Sequence, residues 1–227
     1  MTRLLRWGLP ALLIMFGCAA TPTALSAQTC ATPLAVPVAN ACVVTPGVLW
    51  RGGKPDATGA TALLSQGVRT VVNLEWLHSD VRAFSHARPD THAAEQIGYF
   101  RVPDWEPLAA IAPTVLDDHV AHFIAIMRSQ PKPVYVHCRS GQNRTGVMVA
   151  AYRVFGGMSR DDAIAEMAGY DGYWADFDAT YIRGLTPAKL QALEPRVAAW
   201  TTRLQASATI ECGRGSCVVR RATQQRQ

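Results

Sequence analysis

Apolar and polar positions along this chain follow two different periods. Val68 to Leu74 is a short run rich in β-branched residues, the pattern of a buried strand. Val134-Tyr135-Val136-His137 reads the same way, as do Tyr99 to Val102 and Val48-Leu49-Trp50-Arg51, the latter closed by Gly52-Gly53. Between these runs the spacing becomes helical. Asp56 to Gln66 has a cap candidate in Asp56 or Thr58 and stops at Gly67. From Pro113 onward, Val115, Leu116, His119, Val120, Phe123, Ile124 and Met127 recur at helical intervals, and the pattern ends before Pro131. Arg144 to Phe155 is an apolar helix ended by Gly156-Gly157. Ser159 caps another through Met167, with Asp161 and Asp162 in its first turn. Thr186-Pro187 opens a last amphipathic helix to about Leu204. Thr91 to Ile97 is also expected to be helical, and His78 to Thr91 to be loop with some helix. Strands alternating with helices predict a single α/β domain with a central mixed sheet flanked by helices.

The start of the chain stands apart. Arg3 and Arg6 precede an apolar run from Leu9 to Gly17 that is short for a membrane anchor, and small residues follow up to Ala27. This is the layout of a secretory signal peptide over 1–27, and it predicts an exported, periplasmic or secreted protein with no transmembrane span in the mature chain. An uncleaved anchor is one alternative. Lipidation at Cys18 is another, ranked lower because Phe16 is bulky where such signals carry a small residue. Losing the segment removes two basic residues and takes the net charge from +5 to +3. Several of the remaining arginines lie near the C-terminus, so no concentrated patch argues for nucleic acid. That terminus reads as a solvated, frayed tail. Prolines and small residues from Gln28 to about Thr45 read as an extended lead-in.

Export changes how the cysteines read. Cys30, Cys42, Cys138, Cys212 and Cys217 remain, an odd count that suggests pairs plus one free thiol. Cys138 is the natural free one, and Cys30–Cys42 with Cys212–Cys217 is the preferred pairing, since two glycines between the last pair let a tight ring close. Cross-pairing of the two ends stays open.

Cys138 lies in His137-Cys138-Arg139-Ser140-Gly141-Gln142-Asn143-Arg144-Thr145-Gly146, between a predicted strand and a predicted helix. Gly141 and Gly146 permit tight turning, so that backbone N–H groups of Arg139, Ser140, Gly141, Gln142 and Asn143 can converge as an anion nest, and the helix adds its positive end. Arg144 supplies a planar fork that can grip two phosphate oxygens. These conditions favour a thiolate at Cys138, which can attack phosphorus in line. Thr145 is a candidate to hydrogen-bond the sulfur and help it leave, and His137 to order the loop from the strand side.

The pattern His-Cys-x-x-Gly-x-x-Arg-Thr-Gly resembles the active-site signature of protein tyrosine phosphatases, especially their compact dual-specificity-like branch. Leu49-Trp50-Arg51-Gly52-Gly53-Lys54-Pro55 and Val68 to Leu74 are similar to the opening strands of bacterial members. The resemblance covers about Val48 to Ala168. It implies a phosphatase domain over 48–205, between the lead-in at 28–47 and the tail at 206–227. It also implies a general acid on a loop upstream of the cysteine. Asp104, in Val102-Pro103-Asp104-Trp105-Glu106-Pro107, occupies that place, with Glu106 in reserve and Asp117 or Asp118 further behind because they lie within a helix. Glu75 stands where many relatives carry arginine, and Arg139 is the loop's one extra cation, which tilts the reading away from highly charged inositol lipids. Tyr170 to Tyr181, with Trp174 and Phe177, either wall the cleft or simply pack.

The function expected is hydrolysis of phosphotyrosine, with phosphoserine or phosphothreonine also open, without metal or cofactor. A small-molecule, inositol phosphate or phospholipid substrate is the alternative, and a phosphate-binding protein without turnover is the alternative of another class. A rhodanese-like sulfur transferase would not need Arg144 followed by Thr145-Gly146. His119 and His122 lack a third ligand at metal-binding spacing. Oligomeric state is not legible.

Overall fold

The computed structural model describes residues 30, 32–89, 95–170, 175–213 and 215–222. The signal segment and Cys18 lie outside the described residues. Among the described residues no helix is long and apolar enough to cross a membrane.

Among the described residues, seven strands form one sheet: β1 (Cys42–Thr45), β2 (Leu49–Gly52), β3 (Thr70–Glu75), β4 (Glu95–Asp104), β5 (Val134–His137), β6 (Ala208–Gly213) and β7 (Ser216–Arg221). Their spatial order is β1-β2-β5-β3-β4-β6-β7. The four central strands β2, β5, β3 and β4 run parallel, while β1, β6 and β7 add antiparallel neighbours at the two sides. The central strands are buried on both faces, which is why they read as continuous apolar runs. Alternate residues serve different cores. Val72, Leu74, Val134 and Val136 face one cluster, whereas Val71, Tyr99 and Tyr135 face the other.

Helices cover both faces. On the first lie α4 (Pro113–Ser129), α5 (Asn143–Phe155) and α8 (Pro187–Arg203), together with α3 (Leu108–Ile111), α6 (Arg160–Ala168) and α7 (Ala175–Arg183). On the second lie α1 (Ala57–Ser65) and α2 (Val81–Ser85). Most of the apolar stripe predicted for α4 is buried, with Leu116, Val120, Phe123, Ile124 and Met127 inside, but Val115 in the first turn is exposed. Burying side chains of this size stabilises by roughly 1.5–3 kcal/mol each before entropy is subtracted. The cap readings are met at Asp56, which accepts from Gly59 N at 2.8 Å, and at Ser159, which accepts from Asp162 N at 3.0 Å.

Two local expectations are corrected. The segment 206–227 is not a frayed tail as far as residue 222, because β6 pairs with β4 and with β7. Ala208, Ile210 and Cys212 point inward at every second position, and Gly215, with φ 67°, sits in the turn of the hairpin. Glu95–Ile97 is strand, not helix: it starts β4 and pairs with Cys212 to Ile210. Residues 90–94 lie outside the described residues.

The structure joins Cys30 to Cys42 and Cys212 to Cys217, and leaves Cys138 free and buried. This is the pairing favoured by the spacing. The bridges are compatible with an exported protein.

Candidate active site

The parallel strands deliver their C-terminal ends to one place. Gly52 and Asn73 are both in register with His137, and Glu75 is in register with Asp104. A crevice outside the carboxyl ends of such strands is where α/β sheets bind ligands. Here it holds the loop from Cys138 to Gln142 that joins β5 to α5.

The outward carbonyls of that loop are all engaged. Arg139 O accepts from Lys54 N at 3.2 Å and Ser140 O from Asn40 Nδ2 at 2.8 Å. Gly141 O accepts from Arg51 Nη2 at 2.7 Å. With the carbonyls tied outward, amides are free to turn inward, and Gly141 N donates to Cys138 Sγ at 3.3 Å. Gly141 has φ 79°, and an added Cβ would stand 2.4 Å from Gly52 C, so only glycine fits this turn against β2. Gln142 precedes α5 and makes no side-chain cap bond, and the helix that follows directs its positive end to the loop. Gln142 Nε2 donates instead to Tyr170 O at 2.8 Å.

Arg144, in the first turn of α5, donates from Nη2 to Glu106 Oε1 at 3.0 Å and from Nη1 to Asp104 O at 3.5 Å. Its buried Nε has no partner among the described residues. Glu106 therefore sits on the guanidinium as a neighbour. Asp104 is buried at the end of β4, and its Oδ1 lies 3.0 Å from His119 Nδ1 on α4. Burial pushes the Asp104 carboxyl above its usual range, against the opposing pull of His119 and then Arg144.

His137 is fully buried, with Nε2 3.2 Å from Asp80 Oδ2 but without hydrogen-bond alignment. Asp80 Oδ1 in turn accepts from Asn73 Nδ2 at 2.8 Å and from the Tyr99 hydroxyl. Thr145 differs from its expected role. It is buried, but its Oγ1 bonds no described residue, and the sulfur takes its hydrogen bond from Gly141 because the left-handed turn aims that amide inward. Asp117 accepts from Tyr181 Oη at 3.0 Å and from Lys189 Nζ, and Asp118 accepts from Trp200 Nε1 at 3.0 Å, so both are occupied with packing between helices. His122 stacks on Trp200 at 3.9 Å, and burial lowers its pKa to about 4. Among the described residues no group of His, Cys, Asp or Glu is arranged to hold a metal ion.

The mouth is an open pocket of about 450 Å³ lined by Trp76, Leu77, Trp105, Glu75, Arg139 and Arg144, with His78 beside them. Trp76 and Trp105 are about half exposed, with ring centroids 6.2 Å apart at 55°. Lys54 Nζ lies 3.1 Å from Glu75, so the acid that departs from the usual arginine has its own cation. Of the aromatic segment, Tyr170 and Tyr181 pack inside and Phe177 is half exposed; Trp174 lies outside the described residues.

Two residues of this site escaped the sequence reading. His119 carried a helical signal but none for its contact with Asp104. Asp178 on α7 is buried and lines a small cleft with Asp104, Glu106 and Arg144. Burial first, then the charges of Asp104 and Glu106, raise its pKa to about 7. A carboxyl raised in the fold contributes stability that is present below its unfolded value and is lost as pH rises through about 7. Asp178→Asn removes that loss. Thermal melts should show the variant gaining on the parent between pH 4 and 8, by roughly 2–4 kcal/mol at most; parallel curves would refute the assignment.

Comparisons with known proteins place this geometry. Residues 44–178 match the family described as "DSP-PTPase phosphatase fused to NAD+ Kinase". The rice protein "Probable NAD kinase 2, chloroplastic" (Oryza sativa subsp. japonica) is 30% identical over 107 residues, covering 47% of this chain and 10% of its own length. Mouse (Mus musculus) "Protein tyrosine phosphatase domain-containing protein 1" is 29% identical over 115 residues, covering 44% of this chain and 14% of its own. The chain thus spans only a small part of these relatives. Among solved structures, P. aeruginosa TpbA aligns with a TM-score of 0.54 at 23% identity, over 74% of this chain and 94% of that one. A complex of TpbA with pTyr aligns at 0.50 and 24% identity, over 73% and 99%. The core catalytic domain of the PP-IP phosphatase SIW14 from S. cerevisiae aligns at 0.54 and 15% identity, over 73% and 96%. At these identities the structures establish the shared fold.

Proposed function

This chain belongs to the protein tyrosine phosphatase superfamily, in the dual-specificity-like family its residues 44–178 match, and we propose that it hydrolyses phosphotyrosine through a phosphocysteine intermediate. The observation that carries the reading is Cys138 Sγ, bonded by the Gly141 amide, in the loop that leads into the first turn of α5, which bears Arg144.

Arg144 leaves Glu106 and clamps two phosphate oxygens, and the loop amides and helix end take the remaining charge. The Cys138 thiolate attacks phosphorus in line. The S–P bond forms as the P–O bond to the tyrosyl oxygen breaks, and Asp104 gives its proton to that oxygen. Asp104, now a carboxylate, takes a proton from water. The water oxygen attacks phosphorus, the S–P bond breaks, and inorganic phosphate and the thiolate are restored. The raised Asp104 carboxyl suits a group that must begin protonated. The expected site of action is outside the cytoplasm.

The mouth favours an aromatic leaving group. Two indoles line the pocket with Arg144, Arg139 is the other arginine lining it, and Glu75 at the same mouth is paired with Lys54. Such a wall suits a planar ring carrying one phosphate better than an inositol ring carrying several. Phosphate release across phosphotyrosine, phosphoserine and phosphothreonine peptides, inositol phosphates and phospholipids, in chelator-containing buffer, tests this; preference for an inositol phosphate would overturn it. Trp76→Ala and Trp105→Ala should each raise KM for a phosphotyrosine peptide about three- to tenfold with kcat nearly kept. Unchanged KM in both would remove the indoles from recognition.

A further inference from the structure

Among the described residues, Arg51 is the largest fully buried side chain. It sits on β2, in register with Val136 of β5 and Cys42 of β1, immediately behind the Cys138 loop. Its Nη2 donates to Gly141 O at 2.7 Å and to Gln142 O at 3.4 Å, and its guanidinium carbon lies 3.5 Å above the Tyr170 ring. Nε and Nη1 have no partner among the described residues. A buried cation without a counter-ion is costly. The ionisable groups that face it are Tyr170, Cys138, Glu166 and Tyr135. Glu166 is the carboxylate among them, and it is held by Arg153 through bonds of 3.0 and 3.2 Å. Burial lowers the Arg51 pKa to about 10, which leaves it charged at neutral pH.

We propose that Arg51 is a positioning residue whose buried charge, set behind the loop, fixes the Gly141 turn and stabilises the Cys138 thiolate from the side opposite the substrate. One residue links the two groups: Gly141 accepts from Arg51 through its carbonyl and donates to Cys138 through its amide. Among the described residues, the thiolate is the counter-charge nearest at hand for the guanidinium once Glu166 is taken by Arg153. By reciprocity, the guanidinium favours the thiolate as much as the thiolate favours the guanidinium. Arg144, by contrast, grips the substrate from the open side.

The inference rests on Cys138 as the nucleophile, and its test separates the two claims. The full oxidised chain and its Arg51→Gln and Arg51→Lys variants are treated with iodoacetamide across pH 5 to 9, following alkylation of Cys138 by mass spectrometry, with circular dichroism to establish folding. Gln keeps a donor for Gly141 and loses the charge, whereas Lys keeps the charge. Arg51→Gln should alkylate about tenfold more slowly at pH 6 with its profile moved to higher pH, and Arg51→Lys should follow the parent. A folded Arg51→Gln with the parent's profile overturns the proposal, as does an Arg51→Lys displaced as far as Gln. If Arg51→Gln does not fold, Tyr170→Leu carries the test: removing the ring beneath the guanidinium should slow alkylation at pH 6, and an unchanged profile overturns the proposal. Failure of the nucleophile reading itself has another signature, turnover that persists in Cys138→Ser.

Discussion

Cys138→Ser should abolish phosphate release, lowering kcat by roughly four orders of magnitude or more on both phosphotyrosine peptides and aryl phosphates. The hydroxyl that replaces the thiol stays protonated at neutral pH, so neither the nest nor Arg51 can make it a comparable nucleophile. The fold should survive, because the substitution barely changes volume at a position buried between the sheet and α5. The sulfur's bond from Gly141 is replaced by one to oxygen. The variant should therefore still bind phosphotyrosine peptides and hold them unhydrolysed. Melting curves and calorimetric binding, run beside the phosphate assay, distinguish a lost nucleophile from a lost fold. Turnover within tenfold of the parent would end the phosphocysteine mechanism.

Asp104→Asn comes next in size. General acid catalysis contributes about 10²–10⁴-fold, so phosphotyrosine turnover should fall by roughly 10²–10³. The loss should be far smaller for p-nitrophenyl phosphate, whose leaving oxygen needs little help from a proton. The pH dependence has a definite sign. The reaction uses the protonated carboxyl, so the parent's rate should decline as pH rises through the Asp104 value, which burial has moved upward. That limb should vanish in Asp104→Asn. Equal losses on both substrates would contradict the assignment, and an unchanged rate would pass the role to Glu106 or Asp178, the other carboxyls of the same cleft.

The site and the fold were legible to different depths. The loop from His137 to Gly146 could be read outright because its chemistry is local: glycines, cysteine and arginine act within one turn. The central strands were equally plain, since burial on both faces leaves a continuous apolar run at Thr70–Glu75 and Val134–His137. What could not be read depends on partners distant in sequence. Glu95–Ile97 is extended because Ile210 and Cys212 pair with it, and those residues had themselves been assigned to a tail by their neighbouring arginines. His119 gained its meaning from Asp104, and Asp178 from a helix that packs beside it. Arg51 stood within the resembling segment, but nothing in Trp50-Arg51-Gly52 announces a guanidinium with no exposed surface.

A sheet that ends in two outer strands presents open ladders through which copies could stack into aggregates, and this one blocks both. At one margin Pro33, which has no amide hydrogen to offer, bridges Cys42 of β1, and the Cys30 bond ties that segment down. At the other, β7 carries the exposed Arg221 beside Arg220, which is paired with Glu211 at 2.9 Å, so an approaching copy of the same strand would meet charged side chains. Cys212 and Cys217 face each other across the β6–β7 pair and fix its register. The cystines thus contribute to colloidal behaviour as well as to folding. A reduced chain should therefore be more prone to self-association at its margins.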